Sequence, residues 1–148
     1  MPKLFVSERE IQAKAGVMAV LSFITLFVTN ATLLYFANVI APKYVVLGTF
    51  ALTPFWALIL TSTKLTIIDI LVMLLVPYKE WKTKKDLTPA HWMSLYAIVN
   101  VVSLYLVSRF AEIYGFGVSS FGVIIILAVV MDLVQGMVMM QLGKVKIK

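Results

Sequence analysis

Asp69 and Asp132 each interrupt a long apolar run, Ile67–Leu75 and Ile124–Val134. An ionisable side chain at membrane depth costs about 2.5–3.5 kcal/mol on insertion scales, so such residues face a bundle interior or water rather than lipid. Asn30, Asn100, Lys64 and Gln135 also fall within apolar stretches. With the two aspartates they form a candidate intramembrane polar cluster. Two chemistries fit it. The cluster could bind a cation or relay a proton. Alternatively, its amides and carboxyls hydrogen-bond between helices and hold them together, at about 0.6 kcal/mol per bond.

Spacing refines the cluster. Lys64 precedes Asp69 by five residues, so the two do not stack as an i,i+4 pair would. Lys64 either reaches Asp132 on another helix or snorkels toward the membrane surface. Gln135, three residues after Asp132, shares its face and can hydrogen-bond it. Ser22, Thr25, Thr29 and Thr32 recur at three- and four-residue spacing, a small polar stripe suited to close helix approach in lipid. Arg109 and Glu112, three apart, suit a local surface ion pair.

Other chemistry is excluded by what the chain lacks. With no cysteine it has no disulfide, thiolate metal site or iron–sulfur cluster. The single histidine, His91, has no nucleophile or acid at a recognisable catalytic spacing, and no phosphate loop, nucleophile elbow or dinucleotide fingerprint occurs. The eight methionines lack flanking histidine or cysteine and read as adaptable packing groups, not as a copper site. No catalytic residue, metal or cofactor is therefore predicted, and the chain is not expected to be an enzyme.

The elements that must position these residues are hydrophobic helices. Of 148 residues 61% are hydrophobic and only 14% charged, against roughly 45–50% and about 25% in soluble domains. Four stretches reach the ~20 residues that cross a ~30 Å hydrocarbon core. The sequence predicts an all-α integral membrane protein in one domain. Its crossings are 15–40, 55–78, 89–111 and 120–142, separated by a 41–54 outer segment, a 79–88 basic loop and a 112–119 outer loop. A 1–14 segment precedes them and a 143–148 tail follows. Ser7 and Glu10 have capping-box spacing ahead of the first helix. Pro54, and Pro89 after Thr88, suit helix starts, Ser119 and Ser120 can cap the last helix, and Gly143 can end it. The first stretch is too long for a cleavable signal peptide.

Charge sets the expected orientation. Ten of the thirteen basic residues lie in the N-terminal segment, the middle loop and the tail, whereas Lys43 and Arg109 lie on the opposite side. The positive-inside bias puts both termini in the cytoplasm. Absence of a targeting peptide points to a prokaryotic plasma membrane. Tyr78, Trp81 and Trp92 read as membrane-interface anchors. The basic face suits anionic lipid headgroups, and nothing indicates a nucleic-acid partner.

The two halves also resemble each other. A shift of 70 matches Asn30 with Asn100, Leu34 with Leu104, Tyr35 with Tyr105, Ala41 with Ala111 and Tyr44 with Tyr114, and a shift of 63 matches Asp69 with Asp132. The chain thus reads as two helical hairpins forming a parallel repeat about an axis along the membrane normal. The first functional expectation is a non-catalytic accessory or structural subunit of a larger membrane complex. The alternative is a channel or transporter subunit for a cation or proton, working as a homo-oligomer around the intramembrane acids.

Overall fold

The computed structural model describes residues 8–145, with the side chains of Glu8, Arg9, Ile11 and Trp81 outside the description. The proposed Ser7 cap and the Trp81 anchor therefore lie outside the described residues. The chain order is α1 (Glu8–Ile40), β1 (Val45–Leu47), α2 (Pro54–Thr83), α3 (Pro89–Arg109), α4 (Ala111–Tyr114), β2 (Phe116–Val118) and α5 (Phe121–Gly143). The long helices α1, α2, α3 and α5 are each long and apolar enough to cross a membrane.

Local chemistry accounts for the helix starts. Thr53 and Thr88, both extended, accept bonds from the backbone N–H of Trp56 and His91, and a proline follows each at the first helical position. Proline costs nothing there, because that N–H has no intrahelical partner. Ser120 precedes α5 without a side-chain cap bond. Two boundaries differ from the sequence expectation. α2 runs past Tyr78 to Thr83 with Pro77 inside it. α3 stops at Arg109, and Phe110 breaks the chain before the single turn of α4. Arg109 and Glu112 therefore do not share one helix, and no ion pair joins them among the described residues.

The long helices form a ring in which α1 packs on α2, α2 on α3, α3 on α5 and α5 on α1. The α2–α3 loop and the C-terminal end of α5 share one end of the bundle with the start of α1. Lys79, Lys82, Lys84, Lys85 and Lys144 cluster there, and we call it the basic end. The opposite, strand end carries a feature absent from the all-α expectation. β1 and β2 pair antiparallel, with Val45 opposite Val118, Val46 opposite Gly117 and Leu47 opposite Phe116.

Flanking bonds extend this short ladder. The Gly48 N–H donates to the Gly115 carbonyl at 2.7 Å, the Ser119 N–H to Tyr44 at 2.9 Å, and Asn38 Nδ2 to the Val45 carbonyl at 2.9 Å. Gly115 is required here on two counts. Its φ is +71°, and a Cβ would lie 2.4 Å from that of Ala57, closer than side-chain packing allows.

The buried core is concentrated toward this end. It contains Leu34, Leu104 and Phe116, all fully buried, with Leu47, Ala57 and Ile124 around them. The outward faces carry large apolar residues such as Ile24, Val28, Leu74, Ile98, Ile126 and Leu133. That surface suits lipid.

Candidate functional site: a polar layer beneath an acid-lined cavity

Each long helix contributes one buried polar side chain to a single layer: Asn30 from α1, Asp69 from α2, Asn100 from α3 and Gln135 from α5. At 1.5 Å per residue each lies roughly 14–23 Å from the strand end of its helix, near the middle of a ~30 Å hydrocarbon core.

The bonds run in one direction. Asn100 Nδ2 donates to Gln135 Oε1 at 3.0 Å. Gln135 Nε2 donates to Asn30 Oδ1 at 2.7 Å and to Asp69 Oδ2 at 3.0 Å. Asn30 Nδ2 donates to Asp69 Oδ2 at 3.2 Å and to Thr66 Oγ1 at 3.1 Å. Both N–H groups of Asn30 and of Gln135 are thus used, and each amide oxygen accepts one bond. The Asp69 carboxyl is the layer's terminal acceptor. Only its Oδ2 is engaged. Among the described residues Oδ1 accepts no bond, although the whole side chain is only 2% exposed.

Asp69 also lines a cavity of about 570 Å³ that lies between α2, α3 and α5, with Leu26 of α1 at its edge, on the basic-end side of the layer. Its walls include Met73 of α2, Trp92 and Tyr96 of α3, and Asp132 and Met137 of α5. Trp92 and Tyr96 stack with ring centroids 5.8 Å apart and planes 19° apart, giving α3 a continuous aromatic wall. Five of the eight methionines line the cavity. Pro77 has a part in this neighbourhood, since it removes the N–H that would otherwise bond the Met73 carbonyl.

Asp132 differs from Asp69. It is half-buried on the cavity wall and makes no hydrogen bond among the described residues. Neither aspartate is paired with a lysine or arginine among those residues. The sequence shift of 63 put Asp132 opposite Asp69. In the structure Gln135 stands there, almost one turn further along α5. The buried positions agree: Thr61, Ser62, Leu65 and Asp69 on α2 correspond to Leu127, Ala128, Met131 and Gln135 on α5, a constant offset of 66. The bonds of Gln135 go to Asn30, Asp69 and Asn100, not to Asp132.

Lys64 stands apart from the layer. It is exposed on α2, and its ammonium lies 5.9 Å from the centroid of the Tyr114 ring at the strand end. Of the two expectations for Lys64, this geometry matches reaching along the surface, not pairing with Asp132. The stripe expected on α1 is also redrawn. The residues buried at four-residue spacing are Ser22, Leu26, Asn30 and Leu34, whereas Thr29 and Thr32 turn back to the carbonyls of Thr25 and Val28. Trp92, assigned to the interface from sequence, lies on the cavity wall, and Tyr78 is exposed. Thr66, which accepts from Asn30, belongs to the layer too, although the sequence reading groups it with the polar residues around Lys64 and not with the cluster. Its place one turn before Asp69 was the available signal.

Compared with known protein families, curated proteins and solved structures, the chain matches none. Its chemistry must be argued from this geometry.

Proposed function

We propose that the chain is the membrane-embedded unit of a cation or proton carrier, working as a homo-oligomer, with both termini and the basic end in the cytoplasm. One observation carries this reading. A cavity on the basic-end side of the bundle reaches the polar layer, about halfway along the helices, and has one carboxyl on its wall, Asp132, and another at its floor, Asp69. Carboxyls at that depth, facing a cavity rather than lipid, are the usual mark of an ion or proton path. The concentration of lysines at the basic end supports the orientation. The sequence alone favours the accessory role; the cavity reverses that order.

Two features support reading the chain as fused hairpins related by a twofold axis along the membrane normal. The strand ladder is centred on the Val46–Gly117 pair, so it maps onto itself when β1 and β2 exchange. Asn30 and Asn100 occupy one layer, and the matched Leu34 and Leu104 are both fully buried.

Reconstitution tests the carrier reading. Liposomes containing the purified chain, loaded with a pH-sensitive dye and given a proton or cation gradient, should show flux above protein-free vesicles. Asp132→Asn should lower that flux several-fold. Flux no greater than in empty vesicles overturns the proposal. The second reading, a structural subunit, rests on the polar layer, which uses most of its own donors and acceptors. It expects the chain to leave its native membrane in mild detergent bound to a different subunit.

A further inference from the structure

We propose that the cavity is a binding site for a hydrophobic organic cation: one positive charge, delocalised or shielded, on an aromatic or bulky apolar body. This names the substrate class of the site just described and rests on its assignment as a cation site.

The lining chemistry selects the ligand. A hard metal ion such as calcium asks for about six to eight oxygen donors. Here the cavity offers two carboxyls and the Gln135 amide in a lining otherwise mostly of carbon and sulfur, and no three acidic or histidine side chains converge among the described residues. A small hydrated cation would meet mostly methionine and aromatic walls. An organic cation would find them complementary. The stacked Trp92 and Tyr96 offer π faces, which attract a cation within about 6 Å of a ring centroid. Methionines such as Met73 and Met137 are flexible and polarisable enough to fit bodies of several shapes. A volume of about 570 Å³ lies within the roughly 300–1,000 Å³ of ligand pockets.

The charge also has a defined place. Asp69 Oδ2 is held by Asn30 and Gln135, which leaves its bond-free Oδ1 as the acceptor available to the cavity that Asp69 lines. Both oxygens of Asp132 are bond-free on the wall. Neither carboxyl has a basic partner among the described residues to compensate it. A buried carboxylate without a counter-ion is costly, and a ligand cation supplies that counter-ion.

Equilibrium dialysis of the detergent-purified chain against tetraphenylphosphonium tests the inference, with tetraphenylborate as the anion of matching shape. The cation should bind saturably and the anion should not. Asp132→Asn should weaken cation binding at least about tenfold, the step that one lost charge contact of moderate strength implies, and Asp132→Glu should restore most of it. Trp92→Leu should weaken it about threefold or more through the lost π face. Asp132 makes no hydrogen bond, so its variants should fold, and an unchanged melting temperature checks that they do. Equal binding of the two probes, or undiminished cation binding by Asp132→Asn, overturns the inference. Charge-selective binding without liposome flux leaves the site standing and removes the carrier. Proton flux without charge-selective binding does the reverse.

Discussion

The bundle is built to two standards on either side of its polar layer. Toward the strand end nearly every inward position is filled: Leu34, Leu65, Leu104, Phe116 and Met131 are buried almost completely, and a hydrogen-bonded ladder ties the two loops together. Toward the basic end the only buried side chains among the described residues are Ser22 and Leu26, both on α1. Along α2 beyond Asp69, α3 before Asn100 and α5 after Gln135 no described side chain is buried. The difference shows where the molecule invests in rigidity and where it leaves room. In lipid, apolar side chains gain little by leaving the tails for the core, so helices stay together where packing and hydrogen bonds hold them. The strand end has both. The basic end has the cavity of about 570 Å³, against a recess of about 360 Å³ between α1 and α5 at the strand end.

Truncation at the two ends should expose this contrast most sharply. Phe116→Ala, emptying a fully buried aromatic site, should cost about 3–5 kcal/mol, read as a large drop in detergent melting temperature. Met140→Ala, at an exposed cavity-lining position, should stay within about 0.5 kcal/mol. Equal losses would abolish the distinction between the ends. Gly115→Ala comes next, at about 2–3 kcal/mol, combining overpacking against Ala57 with a left-handed backbone. If it melts like the parent chain, the close approach of β2 to α2 is wrong.

At the boundary between the two regions the expected effect is intermediate. Gln135→Leu removes the donor to Asn30 and Asp69 and the acceptor for Asn100, and should cost about 1–3 kcal/mol. A neutral outcome would mean that water or lipid groups satisfy the layer. Smallest of all should be Lys64→Met, within about 0.5 kcal/mol, because Lys64 is exposed and its ammonium lies over the Tyr114 ring, 5.9 Å from the centroid. A large loss there would put Lys64 back among the groups that hold the bundle.

The sequence disclosed these regions unequally. Hydropathy located all four long apolar helices, and the Thr–Pro pairs at 53–54 and 88–89 marked two helix starts because proline is compatible with the first turn and little else in a helix. The strands were not legible. Val45–Leu47 and Phe116–Val118 are three residues each, too short for alternation to stand out from apolar neighbours. The polar layer was legible in four of its members but not in rotation, and Asp132 and Lys64, grouped with them from sequence, stand outside its bonds. Asn30, Asn100, Asp69 and Gln135 were conspicuous as polar residues in apolar runs. Matching Asp69 to Asp132 by identity displaced the register by three residues, most of a turn. Which of two nearby polar groups points inward is decided by packing, here by Met131 and Ala128 seating against the core. Lys64 was ambiguous for a related reason. A long stem reaches along a helix as easily as across a bundle.

The strand ladder has a consequence for how the protein is made. Val45 and Val118 belong to different hairpins, so their pairing must wait until the second hairpin has been synthesised and has packed against the first. Until then the first hairpin has an unpaired β1 edge, and Asp69 lacks its bond from Gln135. A chain halted after α2 would therefore present an unfilled edge and an under-satisfied carboxyl together, features by which a half-finished copy differs from a finished one. Completion is registered at both the strand end and the polar layer by the arrival of the same hairpin.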